Sequence, residues 1–190
     1  ATNGVAFTTQ PQVTVQDVSG NTVTDSAAAI SVESSGSVLS GTSPVSASSG
    51  VATFAGLKLT GTKGTYTLTY RSGSLTLATQ PITVGFGAAA KLVLTTQPQG
   101  FVNAANFTVQ PVITVQDASG NTVEDATTSI DVAISSGTLS GTTRINAVAG
   151  IATFSGLGKN GTIGAKTLTF SKTGGGLTEV TFDFTLTFGA

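Results

Sequence analysis

Residues Phe7–Val23 read FTTQPQVTVQDVSGNTV, and residues Phe107–Val123 read FTVQPVITVQDASGNTV. In QVTVQD, Val13 and Val15 fall on one face of an extended chain, while Thr14 and Gln16 fall on the other. A period of two, built from Val and Thr, marks a strand that buries one face. Asp, Ser, Gly and Asn follow at once. Short Asx side chains bond their own backbone and Gly accepts positive φ, so this run makes a tight turn.

The match spreads outward from these stretches. Phe7–Gly73 pairs with Phe107–Thr173 without a gap, and about half of the positions are identical. Further on, SLTLATQPITVGFGA from Ser74 pairs with GLTEVTFDFTLTFGA from Gly176. A repeat of roughly 100 residues sets two domains, 1–87 and 88–190, each long enough to bury a core. The alternation recurs along both. In SIDVAIS, Ile130, Val132 and Ile134 share a face; in EVTFDFTLTF, Val180, Phe182, Phe184, Leu186 and Phe188 do. Phe54, Leu68, Val84, Phe154, Leu168 and Phe184 are the expected core. No segment carries a helical period. Several short strands per repeat, separated by SGN, SSG and TGTKG, predict an all-β chain of two tandem immunoglobulin-like antiparallel β-sandwiches.

Composition removes several functions. Charged residues make up 9% of the 190 residues and the net charge is −1. Nucleic-acid binding needs clustered Lys and Arg, so neither that partner nor a polybasic membrane contact is expected. No apolar run approaches the length of a membrane span, so no membrane insertion is expected. There is no Cys and no His. Disulfides, thiol chemistry and His-based triads are therefore absent, and no enzyme is expected.

Four motifs carry a resemblance: TTQP, VTVQDxSGNTV, GVATFAGL (Gly50–Leu57, echoed as GIATFSGL at Gly150–Leu157) and GTYTLTY (Gly64–Tyr70). Together they resemble the bacterial immunoglobulin-like tandem repeats of large cell-surface proteins and adhesins, distantly similar to the invasin and intimin stalks. The resemblance implies an extracellular or cell-surface location and a role as spacer, fibre unit or ligand-presenting stalk. A cell-surface or glycan ligand is unidentified.

The resemblance also implies that LVLTTQPQG, within KLVLTTQPQGFVNAAN at Lys91–Asn106, is the first strand of a sandwich. Domain 1 has only ATNGVAF before its own TTQPQVTVQD, too little for that strand. A sandwich without it leaves a bare edge, which a strand from another chain can cover. The expectation is a homopolymer: subunits docked head to tail with strand complementation, as an extracellular filament or surface array. Its interface would use Ala1, Gly4, Val5, Phe7 and Val13 of one subunit and Phe188, Gly189 and Ala190 of the next. The alternatives are a stalk segment of a longer adhesin and a carbohydrate-binding module.

The remaining candidates are few. Asp17, Asn21 and Asp25, and then Asp117, Asn121, Glu124 and Asp125, form two acidic sets. They lack the final acidic ligand of a calcium loop, so turn chemistry is expected and no cofactor; Asp117, Glu124 and Asp125 are the weak metal candidates. Asn106 in NFT and Asn160 in NGT fit the glycosylation pattern, Asn160 on an expected loop. Lys166 stands where domain 1 has Tyr66, and is expected to snorkel from a sheet margin. Asp131, out of phase with Ile130 and Val132, is expected to face solvent. Tyr66, Tyr70, Phe154 and Phe170 lie in phase with the core rather than on a sugar-stacking face.

Overall fold

A computed structural model describes residues 1–188. The chain divides into two compact units, Ala1–Gly87 and a second from Ala88 onward. Unit 1 contains β1 (Gln12–Thr14), β2 (Ala29–Ser34), β3 (Val38–Ser40), β4 (Val45–Ser46), β5 (Val51–Thr53), β6 (Lys58–Thr60), β7 (Gly64–Arg71) and β8 (Ala78–Val84). Its main sheet has the order β4-β2-β7-β8. The pair β1-β5 forms part of a second layer, and β3-β6 a further short pair.

Unit 2 contains β9 (Ala89–Thr96), β10 (Ala105–Asn106), β11 (Val112–Asp117), β12 (Ser129–Ile134), β13 (Thr138–Ser140), β14 (Arg144–Asn146), β15 (Ile151–Thr153), β16 (Gly158–Asn160), β17 (Gly164–Lys172) and β18 (Val180–Leu186). The orders are β14-β12-β17-β18, β15-β11-β9 and β10-β16-β13. Every strand of unit 1 has a counterpart in unit 2, and all strand-to-strand ladders are antiparallel. Each unit is an immunoglobulin-like sandwich, and no described residue is helical. Strand β9 has no counterpart: no described segment of unit 1 lies along β1 on the side away from β5.

The repeated motifs hold the two layers together. Phe54 and Phe154 are buried, and their rings lie 5.4 Å from Tyr70 and 5.5 Å from Phe170. All six expected core residues are buried. Burying a large apolar side chain of this kind contributes about 1.5–3 kcal/mol. The Gln-Pro of each repeat has a backbone task. Gln10 Nε2 donates to the carbonyls of Phe7 (2.9 Å) and Leu57 (3.2 Å), and its Oε1 accepts from the Leu57 amide (2.8 Å). Gln110 does the same with Phe107 and Leu157. Gly50 and Gly150, which open the GVATF and GIATF motifs, sit at φ 78° and 76°. A Cβ on either would lie 2.5 Å from the carbonyl of Val23 or Val123.

Three sequence expectations require correction, and one group of candidates falls in two places. Phe188 is 79% exposed, because pairing of β18 with β17 ends at Leu186 and the alternation runs on past the strand. Asn160 ends strand β16, opposite Thr138, rather than lying on a loop. Lys166 is only 7% exposed, so it does not snorkel. The interface group also divides. Val13 belongs to β1, whereas Ala1 and Phe7 border a separate depression beside Thr9, Pro11 and Ile82.

Candidate functional site

The most distinctive surface lies along β1, and unit 2 explains its shape. In unit 2, β11 is flanked by β15 on one side and β9 on the other. The β9 register places Leu94 opposite Ile113, Val93 opposite Thr114, Leu92 opposite Val115 and Lys91 opposite Gln116. Leu92 is buried. Thr95 Oγ1 donates to the Val112 carbonyl (3.2 Å) and lies 3.1 Å from Thr114 Oγ1. Within the same stretch, β9 also bonds the segment just before β18. The Leu92 amide donates to the Thr178 carbonyl (2.9 Å), and the Thr178 amide donates to Ala90 (3.0 Å).

Unit 1 has a groove of about 500 Å³ in the matching place. Val13 and Val15 form its floor along β1. Ile30 and Tyr70 come from the facing sheet, and Leu75 and Thr76 stand at the position of Leu177 and Thr178. Thr14 and Asp17 are exposed, whereas Thr114 and Asp117 are buried. The rim is more apolar than its counterpart. Val18 and Leu75 are exposed there, where unit 2 has Ala118 and the half-buried Leu177, and Arg71 and Ser72 also line the groove. The depression that holds Ala1 and Phe7 occupies about 350 Å³. Unit 2 has Phe101 at the repeat position of Ala1, with its ring 5.5 Å from Phe107 and 4.4 Å from Phe184.

The acidic sets make turns. Asp17 Oδ1 accepts from the amides of Ser19 (2.9 Å) and Asn21 (2.8 Å), and its Oδ2 accepts from Asn21 Nδ2 (3.0 Å). Asp117 makes the same three bonds to Ser119 and Asn121. Bonds from the Asn21 side chain and backbone hold the Asp17 carboxyl below the usual Asp value. Glu124 and Asp125 are exposed. Among the described residues, no three His, Cys, Asp or Glu side chains converge as metal ligands.

Asp131 is outward-facing and pairs with Arg144 and with Thr173 Oγ1 (2.7 Å). Those bonds, Arg144 first, hold its carboxyl low. Asn106 and Asn160 are both exposed, so both acceptor triplets lie at the surface. Gly4 and Val5 are exposed too. Gly189 and Ala190 fall outside the described residues.

Sequence reasoning missed Lys159. It is 1% exposed and donates to the Asn160 carbonyl. Burial, then the nearby Lys166 charge, lowers its pKa from the usual lysine value. The repeat carried the signal, because the position of Lys159 in unit 1 is the core residue Leu59.

No known family description matches the chain, and no curated protein matches it by sequence. Solved structures are similar in fold at low identity. The D00-D0 domain of intimin is 16% identical over 96% of this chain and 95% of that one, with a TM-score of 0.45. Domains 5–6 of the S-layer protein SbsC are 20% identical over 99% and 95%, with a TM-score of 0.34. A β-glycosidase from Bacteroides vulgatus is 15% identical, with a TM-score of 0.44. The match covers 84% of this chain, which spans about a fifth (21%) of that enzyme.

Proposed function

We propose that the chain is a structural unit of a cell-surface or extracellular assembly, one that works by presenting sandwiches and docking to its own kind rather than by catalysis. The observation that carries this reading is the tandem pair of all-β sandwiches, whose exposed sheet edges offer surfaces for pairing. An edge with exposed Val18 and Leu75 beside it is a template for a further strand. Low charge, 9% of residues, leaves little repulsion between close neighbours. The finer form is head-to-tail polymerisation with strand complementation, making a filament or surface array. A heterologous contact of that kind need not close on itself.

A stalk segment within a longer adhesin is the second reading, favoured by the tandem repeat itself. A sugar-stacking platform has less support, because Tyr70, Phe154 and Phe170 are buried and Tyr66 is half-buried. Sedimentation of the purified chain over a wide concentration range, with electron microscopy of the same samples, separates the first two. Concentration-dependent polymers are expected. A chain that stays monomeric throughout supports the stalk.

A further inference from the structure

We infer that the Asn160–Gly161 step is a spontaneous modification site, at which the folded chain converts Asn160 to isoaspartate and Lys159 directs the product. The inference is independent of the assembly reading.

The chain has two Asn-Gly steps, Asn3–Gly4 and Asn160–Gly161. Gly has no side chain to hinder its amide nitrogen from approaching the preceding carboxamide. The two steps have opposite surroundings. Asn3 is buried, its Oδ1 accepts from the Gly61 amide (2.9 Å), and the Gly4 amide donates to the Leu59 carbonyl (2.9 Å). Asn160 is exposed at the last position of β16, and Gly161 lies beyond the strand. The Gly161 amide donates to Asn103 Oδ1 (3.0 Å), so reaction waits for that bond to open.

The chemistry needs only water. The Gly161 nitrogen attacks Asn160 Cγ and loses its proton to solvent. The Cγ–Nδ2 bond breaks, and ammonia leaves. The resulting cyclic imide contains both Cγ and the main-chain carbonyl of Asn160. Water then adds to one of these two carbonyls. Addition at the main-chain carbonyl breaks its bond to the Gly161 nitrogen. The chain then continues through Cγ, and a free α-carboxylate remains, which is isoaspartate.

Lys159 favours that second opening. Its buried ammonium already donates to the main-chain oxygen of Asn160. This pull makes that carbonyl the more electrophilic of the two, and it also acidifies the Gly161 amide. Gly137 is exposed and leaves the oxygen open to water; a Cβ there would lie 2.8 Å from it. Unit 1 has Ser37, Leu59 and Thr60 at the positions of Gly137, Lys159 and Asn160. The product also suits its surroundings. The charge that acts on Lys159 is another cation, Lys166. A buried ammonium without an acid is costly, and the new carboxylate forms on the group it already bonds.

The test incubates the full 190-residue chain in warm, mildly alkaline buffer. Peptide mapping by mass spectrometry, with electron-transfer fragmentation, separates isoaspartate from aspartate. The controls are the same chain unfolded in urea and the free peptide GKNGTIG, residues 158–164. In the folded chain Asn160 should convert while Asn3 stays intact, and the isoaspartate share should exceed that of both controls. Asn103→Ala, which releases the Gly161 amide, should speed conversion severalfold without lowering that share. Lys159→Leu should slow conversion and return the product ratio to that of the free peptide. If that variant disturbs unit 2, the folded and unfolded parent chains decide the same point. Asn160 that survives in the folded chain while both controls convert overturns the inference. So does a product ratio that is equal in folded and unfolded chains, or conversion of Asn3 as fast as that of Asn160.

Discussion

Residues Val13–Asp17, which begin in β1, and Ile113–Asp117 of β11 read VTVQD and ITVQD, yet they live in different surroundings. Thr114 and Asp117 are buried, while Thr14 and Asp17 are exposed. The turn that follows contains the same three Asp bonds in both. Local sequence therefore sets the turn and the strand phase, whereas the burial of the outer side belongs to the neighbouring strand. The cores beneath are equivalent, with Phe54 on Tyr70 and Phe154 on Phe170 at almost the same separation. The two repeats differ mainly in what covers them.

The largest expected effects test the equivalence of the cores. Phe54→Ala and Phe154→Ala should each destabilise their own unit by about 3–5 kcal/mol, the usual range for a buried aromatic. Denaturant unfolding followed in each variant measures this. If one costs under about 1 kcal/mol, far below that range, the two repeats do not share a core. Next comes Leu92→Ala, which removes the main apolar contact of β9 beside Val115. It should cost unit 2 about 2–5 kcal/mol and raise amide exchange along β11 toward the level of β1. Unit 1 should be unaffected.

A smaller effect separates the two turns. Asp117→Ala strips partners from the Ser119 and Asn121 amides and from Asn121, which is itself buried. Losing hydrogen bonds at a site shielded from water costs about 1–3 kcal/mol. Asp17→Ala removes the same bonds in the open, where water replaces them, so its cost should be clearly lower. Equal melting shifts for the two variants would show that β9 does not seal the turn of unit 2.

The sequence made much of this legible. A gapless repeat and a period of two located the strands and all six core residues, because alternation reports which side of a strand is wet. It misplaced Phe188, because periodicity continues where pairing stops: β17 begins at Gly164, opposite Leu186, and Thr187 bonds the Phe101 carbonyl instead. Asn160 was read as loop because the turn begins one residue later, at Gly161. The groove beside β1 was not legible, since its walls come from β7 and from Leu75–Ala78, far along the chain. Lys159 was overlooked for a related reason. A lysine in an inward phase can bend out to water, and only the packing around Gly137 and Gly161 shows that this one does not.

The smallest expected effect uses that lysine. Unit 1 has Leu59 where unit 2 has Lys159, and both side chains are almost completely buried. A buried ammonium loses hydration and gains one carbonyl partner, Asn160, with the Lys166 charge nearby. Its pKa is lowered from the ordinary value of 10.5, so the folded unit binds this proton less tightly than the unfolded chain does. As pH rises toward 10.5, the folded form loses the proton first. Stability contributed at this site therefore increases with pH across the window below 10.5, and levels off above it. Lys159→Leu copies the solution already present in unit 1. It should stabilise unit 2 at neutral pH by about 1 kcal/mol, the scale of relieving one poorly compensated polar group, and remove the rise with pH. Thermal unfolding of both forms between neutral and alkaline pH checks this. A variant less stable than the parent at neutral pH would mean that the Asn160 bond outweighs the desolvation of the ammonium, and that unit 2 has adapted its core to the charge.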